Sequence, residues 1–385
     1  MSLTEQIDRL AAFEPAPYPV VSLYLNTQPG SVGRDRHQQF IRKEFKARSR
    51  TYPANSPERE SLERDLERIE RYLETELQPS ANGVAVFACS AGEMFEPIQL
   101  TAPIEQHWLY IGDQPHLYPL ARLESQHPRY AAVVADTNSA RILVFAAAEL
   151  VTEREVKGVK TRRTSQGGWS QARFQRHVGE FHQQHAKEVV DALERIVQNE
   201  GINEVVIVGD EVITPLLRAE MSKSLADKVV DHLKLDSHAP TADVLKASLE
   251  AMQKLSERTD REKVDAAIGQ YRAGGLGVVG PEETLSALLK GQVDELLLTS
   301  AMGQLKPLPN GNSAQASAND AVLAEPAVDV VSAGGEAPEA APEVVRLADE
   351  LVTKAKQTGA RITFIEDASL LARHGGVAAL LRFRI

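Results

Sequence analysis

Short apolar runs, spaced by segments long enough for a helix, fix the kind of fold this chain can adopt. NEVVIVGDE (203–211) is a brief continuous apolar run that ends in Gly209-Asp210. It is too short for a helix with one solvated face and reads as a strand covered on both sides. YAAVVADTNSARILVFAA (130–147) holds two more β-rich runs, broken by Asp136-Thr137-Asn138-Ser139 in the manner of a hairpin. Between these strands, Val178, Phe181, Val189, Leu193 and Ile196 recur at helical spacing over 177–199. Helices near 212–224 and 241–270 follow. Strands alternating with helices dictate an α/β class.

The flanking segments repeat the pattern. YPVVSLYLNT (18–27) alternates apolar and polar residues between Pro19 and the turn at Pro29-Gly30, as a strand does. SPERESLERDLERIERYLETEL (56–77) is the clearest helix. Ser56 can cap it, Pro57 suits the first helical position, and Leu62, Leu66, Ile69, Leu73 and Leu77 line one face. NGVAVFACS and EQHWLYIGD are two further apolar runs. After Tyr271, PEETLSALLKGQVDELLLTS (281–300) reads helix, glycine, strand. A helix at 344–358, the strand ARITFIED, another helix and a last strand ALLRFRI complete a small three-layer α/β unit. The intervening 305–343 is rich in Ala, Pro, Gly and acids and holds no aromatic residue. It reads as a mobile insert, because it cannot bury enough to offset its ordering entropy. Domains are expected over 1–127, 128–272 and 273–385.

Composition excludes several classes. A hydrophobic share of 43% supports several cores, and no run approaches the ~20 apolar residues of a membrane span. The first residues, MSLTEQIDRL, are polar, unlike a signal or transit peptide. Cys89 is the single cysteine, in an apolar run, so no internal disulfide forms. A cytoplasmic protein is expected, without membrane attachment. Net charge of -11 argues against nonspecific binding of nucleic acid over the whole surface.

Three motifs invite chemistry. Gly275, Gly277 and Gly280 match the dinucleotide fingerprint by letter, but a helical pattern precedes them where the fingerprint needs a strand. An interdomain hinge is the expectation there. His182 and His185 share a helix face, whereas His177 points elsewhere and no carboxylate or cysteine completes a metal set. Asp136, Asp210 and Glu211 end strands of the central unit, where a two-metal ribonuclease would keep its carboxylates; acids also stand there because chains turn. No cofactor or metal is expected.

The strongest feature is TRRTSQGGWSQARFQRH (161–177). From Arg154 to Arg176 there are seven cations, Arg154, Lys157, Lys160, Arg162, Arg163, Arg173 and Arg176, against Glu155 alone. Such a cluster on an acidic chain is the footprint of a nucleic-acid contact. Gly167-Gly168 lets the backbone approach a ligand closely, and Trp169 offers a ring for stacking. A second basic run, 34–50, carries seven Lys and Arg against Asp35 and Glu44 and reads as a helix.

GGWSQARFQRH resembles the Gly-Gly-Gln loop of archaeal and eukaryotic class-I peptide release factors, with Gly167, Gly168, Ser170, Arg173, Phe174 and Arg176 on the family pattern. The end of the chain, ITFIEDASLLARHGGVAALLRFRI, resembles the last strand region of Pelota. Residues 82–145 resemble the junction of the first two release-factor domains. The chain is thereby identified as a bacterial-type member of the release-factor/Pelota superfamily. The resemblance implies a three-domain α/β architecture: an N-terminal domain facing the decoding site, a mixed-sheet middle domain reaching the peptidyl-transferase centre, and a C-terminal domain of the kink-turn-binding ribosomal-protein type. The implied partners are the 70S ribosome, its 23S RNA, the CCA end of a P-site tRNA and a translational GTPase such as elongation factor Tu; DNA is not among them. Gly167, Gly168, Trp169 and Gln171 then become the candidate catalytic positions, and Arg162, Arg163, Ser170, Arg173 and Arg176 the RNA-binding ones. Trp169 stands where the family has the glutamine that positions water, and nothing in 35–60 resembles the stop-codon-reading motif. Two readings follow within the superfamily: rescue by peptidyl-tRNA ester hydrolysis, or non-hydrolytic protection, as in hibernation factors of the Balon type. The metal-dependent ribonuclease is the reading from another class.

Overall fold

The computed structural model describes residues 3–14, 17–28, 34–146, 149–157, 171–308, 329–332 and 340–384. Contacts divide the chain into two compact units, one of 1–126 with 259–385 and one of 127–258.

In the first unit, β1 (Val20–Asn26), β2 (Gly83–Cys89), β3 (Met94–Leu100) and β4 (Trp108–Gly112) form an antiparallel sheet. Its period-two alternation sends Val21, Leu23, Leu25, Val84, Val86 and Leu109 to one face. There they meet Phe40, Ile41 and Phe45 of α2 (Arg34–Ser49) and Leu62, Leu66, Ile69 and Tyr72 of α3 (Pro57–Thr75). Helix α3 begins as its sequence requires: the Ser56 hydroxyl accepts from the Arg59 amide at 3.2 Å, with Pro57 in the first turn. Tyr24, Ala85, Phe87 and Tyr110 face the other way, onto α1 (Leu3–Ala11), α4 (Tyr118–Gln126) and α10 (Pro342–Gln357).

The same apolar cluster continues into a second sheet, ordered β10 (Gly277–Val279), β14 (Val377–Leu381), β11 (Val293–Thr299), β13 (Arg361–Ile365). Only β11 and β13 are parallel. Helices α9 (Pro281–Leu289) and α10 cover one face; Val264 and Ala267 of α8 (Thr241–Arg272) cover the other, against Leu297, Ile365 and Ala378. This is the three-layer α/β arrangement expected at the C-terminal end.

A buried carboxylate ties the two sheets' surroundings together. Asp349 on α10 accepts from the amides of Leu117 at 2.9 Å and Tyr118 at 3.1 Å, and pairs with Nδ1 of His116 at 2.6 Å. Asp349 and His116 are both almost fully buried. The carboxylate therefore caps α4 from another helix, satisfying amides its own sequence leaves orphaned. Tyr110 stacks on the His116 ring with centroids 4.9 Å apart, and the Tyr24 hydroxyl donates to the His116 carbonyl. Burial, with Asp349 nearby, pushes the Tyr24 phenol well above its ordinary value, so it remains a donor.

The second unit holds a mixed sheet ordered β7 (Glu149–Lys157), β6 (Ser139–Ala146), β5 (Tyr130–Ala135), β8 (Glu204–Gly209), β9 (Val229–Leu233). Strands β5, β8 and β9 run parallel; the 130–147 run is the expected hairpin. Helices α5 (Gln171–Asn199) and α6 (Ile213–Glu220) cover one face and the first half of α8 the other. Strand β8 lies inside the sheet and is covered on both faces, which is why its sequence is so apolar.

Two expectations are corrected. Within the supposed insert, Asp329–Ser332 forms β12, paired antiparallel to β4 at the edge of the first sheet, with Asp329 opposite Ile111 and Ser332 opposite Trp108. Four residues cannot stand as a strand alone; the β4 edge supplies their partners. The glycine run is not an interdomain hinge. The change of unit falls inside α8, between Arg258 and Thr259, because Val264 and Ala267 already pack beneath the C-terminal sheet. Gly277 instead lets β10 lie against the end of α8, where a Cβ would come within 2.3 Å of the Ala267 carbonyl. Gly280 takes φ 89° ahead of α9.

Asp349→Ala would strand the Leu117 and Tyr118 amides and the His116 ring. We expect a loss of about 3–5 kcal/mol in urea unfolding, with Asp349→Asn costing less. The two halves of this unit should melt in one transition; separate transitions for 1–126 and 259–385 in the wild type would contradict the shared core.

Candidate nucleic-acid interface

The basic segment leaves the end of β7 and returns at the start of α5. Strand β7 is an edge strand, held to β6 from Ser139 opposite Lys157 to Ala146 opposite Glu149. Residues 158–170, including Arg162, Arg163, Gly167, Gly168, Trp169 and Ser170, lie outside the described residues. Helix α5 begins at Gln171, six residues ahead of the periodicity recognised at 177, so Gln171, Arg173 and Arg176 stand on its first two turns. The earlier start escapes sequence reading because QARFQR has no apolar stripe to register.

The helix spans 29 residues, about 43 Å. Its C-terminal half is fixed by Ala186, Val189, Val190, Leu193, Ile196 and Val197 against the sheet. His185 is the first buried side chain among the described ones, and Gln171 lies about 21 Å of helix upstream of it. No residue from 178 to 184 is buried. The described part of α5 is thus held mainly through its C-terminal half, with Gln183 also donating to Glu220 of α6 at 3.1 Å.

Charge at the root of α5 is balanced. Between β7 and α5 lies a cleft of about 350 Å³, lined by Arg154, Lys157 and Arg195 and by Glu155, Glu188 and Asp191. Lys157 pairs with Glu155 at 3.0 Å, and Arg141 of β6 approaches Glu153 at 3.8 Å. The cationic excess therefore belongs to the segment beyond Lys157. Arg195 was not legible as part of this cleft; the only sign was its helical spacing from Asp191 and Glu188.

The strand-end carboxylates are occupied by local structure. Asp136 accepts from the amides of Asn138 at 2.7 Å and Ser139 at 2.8 Å, closing the β5–β6 turn. Burial alone would raise its carboxyl, yet these amides and the hydroxyls of Ser237 and Ser139 hold it below the ordinary range. Asp210 accepts from the amides of Val212 and Ile213 at 2.9 and 2.8 Å, at the start of α6. Glu211 is exposed and pairs with Lys234 at 2.8 Å. Strands β5 and β8 are neighbours, with Ala135 opposite Gly209, so Asp136 and Asp210 end adjacent strands while each serves its own turn. Among the described residues no three His, Cys, Asp or Glu side chains group as a metal site. Among the described residues neither ring nitrogen of buried His185 is hydrogen-bonded, and His182 is half-buried. No described helix is long and apolar enough to cross a membrane.

Removing the Asp210 cap with Asp210→Ala should cost about 0.5–2 kcal/mol in urea unfolding. The lowered Asp136 carboxyl contributes stability in full above the ordinary carboxyl range and loses it as pH falls through the lowered value. Asp136→Ala should therefore weaken the protein at pH 7 more than at strongly acidic pH. Magnesium-dependent RNA cleavage abolished by Asp136→Asn would contradict this turn-forming role.

Residues 115–253 match the model of bacterial archaeo-eukaryotic release factor family 10. The chain is 26% identical over 284 residues to the uncharacterized protein Rv2629 of Mycobacterium tuberculosis, covering 71% of each. Among solved structures it is similar to Saccharomyces cerevisiae Dom34, a translation termination-like factor (11% identity, 76% of this chain and 74% of that one, TM-score 0.43). It is similar also to the archaeal translation termination factor aRF1 (16% identity, 100% and 99% covered, TM-score 0.26). The family match spans the whole of β5–β6–β7, the basic segment, α5 and β8. Over 115–253 the chain is thus similar to a bacterial release-factor family.

Proposed function

We propose that this chain is a ribosome-binding translation factor of the release and rescue type, which occupies the A site and extends 158–170 toward the peptidyl-transferase centre. One observation carries the reading. A basic, glycine-containing segment leads directly into a 29-residue helix whose C-terminal half packs on the sheet, inside the stretch that matches a release-factor family. A helix held in this way is what a contact deep inside a large RNA assembly requires. Arg162, Arg163, Ser170, Arg173 and Arg176 would meet the phosphates of 23S RNA and the CCA end of the P-site tRNA. In this reading 1–127 faces the decoding site, 128–272 carries the segment inward, and 273–385 meets a delivering GTPase such as elongation factor Tu.

Hydrolysis of the peptidyl-tRNA ester asks little of a protein beyond a positioned water and donors for the developing oxyanion. Gly167, Gly168 and the amide at 169 would allow a close backbone approach, and Gln171 is the nearest side-chain amide in the sequence after 169. The indole of Trp169 donates and does not accept, so it cannot hold a water as an amide side chain does. That substitution favours a second reading, in which the segment fills the site without hydrolysis and protects an idle ribosome.

Charge reversal of Arg162, Arg163 and Arg173 should weaken co-sedimentation with 70S ribosomes, and wild-type binding should fall steeply with salt. Salt-insensitive binding that survives the triple change would place the contact elsewhere. Peptide release from 70S complexes with an empty A site separates the two modes. A hydrolase releases peptide, loses release with Gly168→Ala and keeps it with Trp169→Gln. A plug releases nothing, and Trp169→Ala loosens its binding by about 1–3 kcal/mol through lost stacking.

A further inference from the structure

We infer that the outer face of α2 is a second RNA-binding surface, one that grips a sugar-phosphate backbone independently of the 158–170 segment. Helix α2 is sharply divided. Phe40, Ile41, Phe45 and Ser49 are buried toward the first sheet, together with His37 and Glu44. Gln38, Gln39, Arg42, Lys43, Lys46, Ala47 and Arg50 are exposed, with Arg50 just past the last turn. At 100° per residue, Arg42, Lys46, Arg50 and Lys43 fall within roughly a third of the helix circumference, with Gln39 among them. Every charge on that exposed arc is positive.

Local structure accounts for only part of the row. Lys43 leans to Glu44 at 3.1 Å, and Arg42 lies close enough to Glu70 of α3 to lower that carboxyl. Burial is nonetheless the larger influence on Glu70 and leaves it raised. Among the described residues, Lys46 and Arg50 meet no carboxylate at ion-pair distance. The negative C-terminal end of the helix welcomes Lys46 and Arg50. It does not reach Arg42 and Lys43, one to two turns upstream. Like charges four residues apart, as in Arg42–Lys46–Arg50, repel and weaken a helix. The apolar half of α2 is packed against the sheet and α3. The arc is thus a local cost on a chain of net charge -11.

A polyanion reverses that cost. Arg42, Lys46 and Arg50 are spaced about 6 Å apart along the axis, a ladder that successive phosphates of one strand can meet. Gln38 and Gln39 add amides able to bond sugar or phosphate oxygens. The chemistry calls for an extended polyanion; the choice of RNA rests on the ribosomal reading above. The face belongs to the unit of 1–126 and 259–385, whereas the 158–170 segment belongs to the other, so the two contacts can be removed separately.

The test uses the full chain in three forms: wild type, Arg42→Gln/Lys46→Gln/Arg50→Gln, and Arg42→Glu/Lys46→Glu/Arg50→Glu. Binding of a fluorescein-labelled, mixed-sequence single-stranded RNA is followed against potassium chloride, with thermal melts confirming that each form folds. The Gln form should lower the slope of log K against log salt by about 2, and the Glu form should weaken binding at least tenfold at low salt. Unchanged affinity and slope in both folded variants would overturn the inference. So would loss of binding to phosphatidylserine vesicles with RNA binding intact. If the α2 variants keep RNA affinity while the Arg162/Arg163/Arg173 reversal loses 70S binding, the inference fails and the ribosomal reading stands. If wild type ignores 70S ribosomes yet the α2 variants lose RNA affinity, the reverse holds.

Discussion

Asp349 is the residue on which the larger unit depends. Its carboxylate is almost fully buried and takes three donors from a segment more than 230 positions earlier, the His116 ring and the amides of Leu117 and Tyr118. A buried charge is tolerable only when its lone pairs are met, and its donors are tolerable only when it is there. That mutual requirement fixes α10 against the start of α4 and fixes both beside Tyr24 and Tyr110 of the first sheet. The apolar cluster around it runs unbroken from Ile7 to Leu381, so the first and last thirds of the chain share one core. Strand β12 adds a backbone link of the same kind, from the C-terminal half of the chain to the edge of the first sheet.

The other unit is organised around a different constraint. A sheet covered on both faces holds the second half of α5, and among the described residues nothing from 178 to 184 is buried. In the proposed function this helix presents the backbone and cations of the adjoining basic segment to RNA. The strand-end acids, which in another context would hold metal ions, close a turn at Asp136 and start a helix at Asp210.

What the sequence disclosed follows the range of the interactions. The Ser56 cap, the face of Leu62, Leu66 and Ile69, the Asp136 turn and the apolar β8 are all set by neighbours within a few residues, and each was legible. Helix α4 was not, because its cap is Asp349 on another helix. Strand β12 was not, because four residues become a strand only beside β4. The start of α5 was six residues early, since its first two turns carry no apolar stripe. Of the candidate site, residue types and order were visible in 154–176, while the balance of charge at its root, with Arg195, Glu188 and Asp191 across the cleft, needed the fold.

The proposed function depends on where α5 points when the protein is bound to a ribosome. A cryo-EM map of the protein on 70S ribosomes with tRNA in the P site tests it directly. The account predicts the protein in the A site, α5 directed inward and Gly167–Trp169 beside the CCA end. Density at any other ribosomal site, or α5 turned away from the peptidyl-transferase centre, would contradict it.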